Sequence, residues 1–110
     1  MVQTLDFNKV KKNYFTVTLN DENRTRLMLL TPTKRLLTEM LSKFPDNIEG
    51  VPSDDDLNTL YDLTARLMNR NKTGIRVTDE QLAELLDIED LITFFNAYTD
   101  FIKQLANAKN

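Results

Sequence analysis

The chain has 110 residues and 12.8 kDa, the size of one ordinary domain, and its 41% apolar residues can fill one core without a metal or disulfide staple. With no His and no Cys there is no His- or Cys-based zinc site, no thiol nucleophile and no imidazole base, which removes most hydrolase and redox chemistry. A formal charge of −3 is too acidic for a protein that coats duplex nucleic acid, yet it hides a split: residues 1–50 carry eight basic and six acidic side chains (net +2), residues 51–110 six basic and eleven acidic (net −5).

The amino terminus, Met1-Val2-Gln3-Thr4-Leu5-Asp6, lacks the basic and apolar regions of a secretory leader. No apolar run reaches the roughly 18 residues of a membrane span, so the expectation is a cytoplasmic protein with no membrane contact. After a polar lead-in at 1–13, Tyr14 to Leu19 alternates aromatic and β-branched residues, with Phe15, Val17 and Leu19 on one face. Asn20 to Asn23 has turn chemistry, and Arg24 to Leu30 resumes the period of two. The reading is a β-hairpin over 14–30 with a four-residue connection. Thr25, Leu27 and Leu29 point one way, and Arg24, Arg26, Met28 and Leu30 the other. The second strand, apolar on both faces near its end, should lie deeper than the first.

Thr31-Pro32 then starts a helix over 32–44, with Thr31 as cap, Pro32 at the first helical position and a stripe of Leu36, Leu37, Met40, Leu41 and Phe44. Residues 45–52, with two Pro and Gly50, read as a linker. A second helix over 53–69 begins at Ser53, whose hydroxyl can accept from the Asp56 N–H, while Asp54, Asp55 and Asp56 complement the helix dipole. Its core stripe is Leu57, Leu60, Tyr61, Thr64, Leu67 and Met68, which leaves Leu63 to one side. Gly74 suits a left-handed cap, and Ile75-Arg76-Val77 could pair as a small edge strand. Thr78 and Gln81 form a capping box opening a third helix over 78–86 that buries Leu82, Leu85 and Leu86. Asp87 caps a fourth over 88–106. There Leu91, Ile92, Phe94, Phe95, Tyr98, Phe101, Ile102 and Leu105 cover about 180° of the helix, wider than one packed neighbour requires. The fold class is α+β, predominantly helical, with Leu60, Leu67, Leu85, Phe94 and Tyr98 buried together.

No constellation in this sequence favours catalysis. Reading Asp54, Asp56 and Asn58 as a calcium loop puts Thr59 where the turn needs Gly and Ala65 where it needs a bidentate Glu, so the acidic triplet is helix-start chemistry. The other acidic clusters also sit at helix starts, and two Gly and two Ser cannot build a phosphate-cradling loop or a nucleophile elbow. The expectation is no enzyme activity, no cofactor, no metal and no small-molecule substrate. Lys9, Lys11, Lys12, Arg24, Arg26, Lys34 and Arg35 form a potential cationic face. It fits protein contact better than nucleic acid, although a small regulator binding nucleic acid or another protein through this half is the alternative. Arg24, Arg26, Lys34 and Arg35, with the off-stripe Leu63 and the arc edges Ile92 and Phe101, are the candidate contact residues. The charge split favours head-to-tail association of copies.

The stretches YFTVTL, TPTKRLLTEML, DDDLNTLYDLTARLMNRNKTGIRVTDEQL and DLITFFNAYTDFIKQL, in that order, resemble tail assembly chaperones of long-tailed phages and prophages of Gram-positive bacteria. The Asn-Arg-Asn-Lys run at 69–72 and the aromatic last helix are the most distinctive parts. The resemblance implies a non-enzymatic morphogenesis protein that coats and solubilises the tape measure protein, helps recruit tail tube subunits and assembles into rings or spirals in the bacterial host. It also implies a longer form made by ribosomal frameshifting. Ala108-Lys109-Asn110 could be encoded by A AAA AAC, on which paired tRNAs can slip back one base.

Overall fold

The computed structural model describes residues 3–43 and 53–107. The expected linker at 45–52, Phe44 of the first helical stripe and the ending at 108–110 lie outside these. A single 3-10 turn at Phe7–Lys9 precedes strands β1 (Phe15–Thr18) and β2 (Arg26–Leu29), then helices α1 (Lys34–Lys43), α2 (Asp54–Met68), α3 (Asp79–Leu85) and α4 (Ile88–Asn107). This is the α+β, mainly helical order that the periodicities predict.

The hairpin is antiparallel, pairing Phe15 with Leu29 and Val17 with Leu27. Leu27 and Leu29 are fully enclosed, each burial stabilising by about 1.5–3 kcal/mol. The connection is longer than expected. The last ladder bond runs from the Leu19 N–H to the Thr25 carbonyl (2.8 Å), and the chain turns over 20–24 with Arg24 at φ 50°. Asp21 holds this turn, its carboxylate accepting from the Thr25 N–H (2.7 Å) and the Thr25 hydroxyl (2.5 Å). These bonds, the hydroxyl's first, keep its pKa below the usual carboxylate value. Because Arg24 is left-handed, the alternation that would align it with Arg26 ends at Thr25.

The depth of β2 has a specific cause in the segment after α2. Residues 70–72 lie along its outer edge, with the Leu30 N–H donating to the Arg70 carbonyl (2.8 Å) and the Lys72 N–H to the Met28 carbonyl (3.0 Å). The expected edge segment, Ile75 to Val77, forms no backbone ladder. Two asparagine side chains take the place of a strand instead. The Asn69 amide donates to the Val77 carbonyl (3.0 Å) and accepts from the Val77 N–H (2.8 Å). Asn71 does the same to Ile75 at 2.7 and 3.1 Å, and also donates to the Met68 carbonyl (2.9 Å). Partners two residues apart on one segment thus meet residues two apart on the other, as in a ladder. Gly74, at φ 77°, closes the turn between them.

Helix starts follow the sequence closely, with one shift. The Ser53 hydroxyl accepts from the Asp56 N–H (3.2 Å), Thr78 and Gln81 complete their capping box, and Asp87 and Asp90 accept reciprocally from each other's N–H at 2.9 and 3.0 Å. The first helix, however, is capped by Thr33, whose carbonyl accepts from the Leu37 N–H (2.9 Å), and not by Thr31. The Thr31 carbonyl is held by the Arg70 guanidinium at 2.9 and 3.2 Å, which fixes residue 31 to the end of α2 and delays the helix to Lys34.

The core surrounds α2, which packs against α1, α3, α4 and β2. That central position corrects the expectation for Leu63: it is fully buried, because neighbours cover more of α2 than one stripe. Leu41, counted in the α1 stripe, is 59% exposed. Leu67, Phe94 and Tyr98 share the main core as expected, whereas Leu60 is buried outside that cluster and Leu85 and Leu86 are only half-buried. The wide arc of α4 is used on two sides. One side meets α2, and the other meets Phe15 of the hairpin, whose ring lies 6.4, 5.6 and 5.5 Å from those of Phe94, Tyr98 and Phe101. Such aromatic contacts add about 0.5–1.5 kcal/mol each beyond their burial. The buried Tyr98 hydroxyl donates to the Leu30 carbonyl (2.6 Å), tying α4 to the end of β2.

Candidate functional site

The predicted contact residues separate into three groups. Leu63 lies in the core and presents no surface. Phe101 is half-buried against Phe15 and stacks with Tyr98 at 6.2 Å, so its arc position is explained by packing under the hairpin. Ile92 stays at the surface, 36% exposed. Arg24, Arg26, Lys34 and Arg35 are all exposed, but on different elements: the hairpin turn, β2 and the first turn of α1. The Arg35 side chain is 92% exposed, with its Nε 3.9 Å from Glu39. Glu39 in turn is held by Arg66 at 2.7 Å, joining α1 to α2, and that hydrogen bond lowers the Glu39 pKa. Water and salt screen exposed pairs of this kind, so they add little to stability.

The acidic clusters are accounted for by helix starts. Asp54, Asp55 and Asp56 fill the exposed first turn of α2, and among the described residues no three acidic side chains converge as metal ligands would. Nor, among the described residues, is any helix long and apolar enough to cross a membrane. The distinctive run at 69–72 is also structural: Asn69 and Asn71 bind the segment after α2, Arg70 binds Thr31, and the Lys72 ammonium sits 5.3 Å from the centre of the Tyr14 ring.

Two surface concavities meet at Leu86 and Asp90. The smaller, about 290 Å³, runs along β1 against α4, over Phe94 and Met68 and beside Thr93 and Ala97. The larger, about 620 Å³, lies where α2 meets α3 and α4, among Tyr61, Glu84, Asp87 and Asp90. Its wall is braced by the Tyr61 hydroxyl, which donates to the Leu86 carbonyl (2.5 Å), and by the Asn20 amide, which donates to the Leu85 carbonyl (2.7 Å). Burial first, then the charges of Asp87 and Asp90, raise the Tyr61 pKa above the usual phenol value.

Sequence reasoning passed over the residues that stand out most at the surface. Leu5 and Phe7 are 69% and 73% exposed, and Val10 lies between Lys9 and Lys11. Their signal was present, since three large apolar side chains in a polar lead-in have no periodicity that would bury them. Comparisons with protein families, curated proteins and solved structures find no match to this chain.

Proposed function

We propose that this chain is a phage tail assembly chaperone that acts through protein contacts and self-assembly, holding the tape measure protein soluble and helping to bring tail tube subunits to it. The reading rests on the resemblance of four consecutive stretches in one order. One surface observation supports it: the basic amino-terminal arm leaves Leu5 and Phe7 in solvent, the kind of apolar surface that a partner covers.

The test has two parts. The gene should lie between tail tube genes and a very long open reading frame with helical periodicity, and the protein of that long frame should be retained by the purified chain. Retention that survives nuclease treatment and moderate salt supports the reading. Retention of DNA in its place, falling steeply with salt, would favour the regulator that binds nucleic acid.

A further inference from the structure

Among the described residues the sheet has two strands, and only one of its outer edges is covered. The Met28 carbonyl and the Leu30 N–H face residues 70–72, so Leu27 and Leu29 turn their backbone groups toward Val17 and Phe15. By the antiparallel alternation, the N–H and C=O groups of Thr16 and Thr18 then face away from β2. That edge borders the groove between β1 and α4, with Phe94 and Met68 as its floor and Thr93 and Ala97 on its helical wall. A strand edge facing a helix across an apolar floor is suited to an added extended segment, whose backbone pairs with the edge while alternate side chains enter the groove.

The chain itself carries a segment with exposed apolar side chains. Residues 3–13 hold Leu5, Phe7 and Val10; Val10 has extended angles (φ −71°, ψ 129°), and the 3-10 turn at Phe7–Lys9, which buries no side chain, would have to open for the segment to pair. Lys9, Lys11 and Lys12 outweigh Asp6 in charge. The groove is opposite in sign: Asp90 lines it, Glu84 and Asp87 line the concavity that continues from it, and among the described residues no Lys or Arg lines either. We infer that the amino-terminal arm of one copy lies along β1 of a second copy, in the groove between β1 and α4. The acceptor is a second copy because in the chain itself none of residues 3–13 lines this groove, and Leu5 and Phe7 stay exposed. An arm given to one neighbour and a groove filled by another make a heterologous contact, which repeats into a ring or a spiral. This inference rests on the self-assembly half of the proposed function.

Sedimentation velocity of the purified full chain over a wide concentration range tests it. The wild type should grow beyond the monomer, more at low salt than at high. Phe7→Asp, at a side chain exposed in the monomer, should weaken association about tenfold or more, and Ala97→Arg, which fills the groove wall, should do the same. Circular dichroism should show both variants folded like the wild type. Mixed together, they should form a species that stops at two chains, since one supplies the only working groove and the other the only working arm. A wild type that stays monomeric, variants that associate like the wild type, or a mixture that does not pair would each overturn the inference. A monomeric wild type that still binds the tape measure protein would overturn the arm contact and the self-assembly half of the proposed function, and leave its tape measure half standing.

Discussion

Replacing Asn71 by Ala removes four hydrogen bonds at a buried position, and the structure sets how much that should cost. The amide donates to the Met68 and Ile75 carbonyls and accepts from the Ile75 N–H and the Thr73 hydroxyl (3.3 Å). Its orientation is unique, because the two carbonyls can only accept and the peptide N–H can only donate. With the residue 9% exposed, water replaces these partners poorly. At about 1 kcal/mol net for each of the stronger bonds, Asn71→Ala should lose about 2–4 kcal/mol, a large share of the roughly 5–15 kcal/mol of a typical domain. Urea unfolding followed by circular dichroism reads this as a lower midpoint at an unchanged slope, and Tm should fall by about 10–20 °C. Asn71→Asp sharpens the test, because it sets a carboxylate against two carbonyl oxygens and so raises the pKa of the new group in the folded state. The protonated form is then the better tolerated one. The deficit of this variant should be smallest below the unfolded-state pKa of about 3.9 and should grow as pH rises through the folded-state value. A loss under about 0.5 kcal/mol for Asn71→Ala, or an Asp variant whose deficit does not depend on pH, would refute the side-chain ladder.

Other perturbations probe the remaining joints of the fold. Phe94→Ala should cost about 3–5 kcal/mol, because its ring touches those of Phe95 and Tyr98 at 5.4 and 5.5 Å; an equilibrium loss under about 1 kcal/mol would mean that the core does not close on α4. Gly74→Ala should lose about 1 kcal/mol from the φ of 77° alone, with no clash, since nothing lies within 4 Å of the added Cβ. Burial pushes the Tyr98 phenol up to about 12, above the roughly 10 of the unfolded chain. Stability from this group is therefore full below about pH 10 and lost as pH climbs toward 12. Tyr98→Phe should flatten that alkaline fall, leaving the smaller part that comes from Tyr61.

What the sequence reveals about this fold divides along a physical line. The hairpin faces and the caps at Ser53, Thr78 and Asp87 are set by residues within a few positions of one another, and periodicity or a side-chain hydroxyl announces them. The burial of Leu63 is not of that kind, since a stripe computed for one neighbour cannot show that α2 has several. The same reason explains why the arc of α4 looked too wide: the hairpin packs on one side of it through Phe15, so Phe101 is a packing residue, and the most exposed large apolar side chains among the described residues are Leu5 and Phe7. By position Asn69 reads as the last residue of the second helix, and Asn71 carries no periodic signal. Only the partners two positions apart, Ile75 and Val77, reveal them as a substitute strand.

The most direct test of the central claim is co-expression. The protein encoded by the long helical reading frame beside this gene is produced alone, with the wild-type chain, and with the Phe7→Asp chain, and its soluble fraction is measured with the size of any complex. The account predicts an insoluble tape measure protein alone, a soluble complex carrying several copies of the chain when wild type is present, and a marked loss of solubility with Phe7→Asp. A long protein that is equally insoluble with and without the wild-type chain, while the chain itself remains folded and abundant, would contradict it.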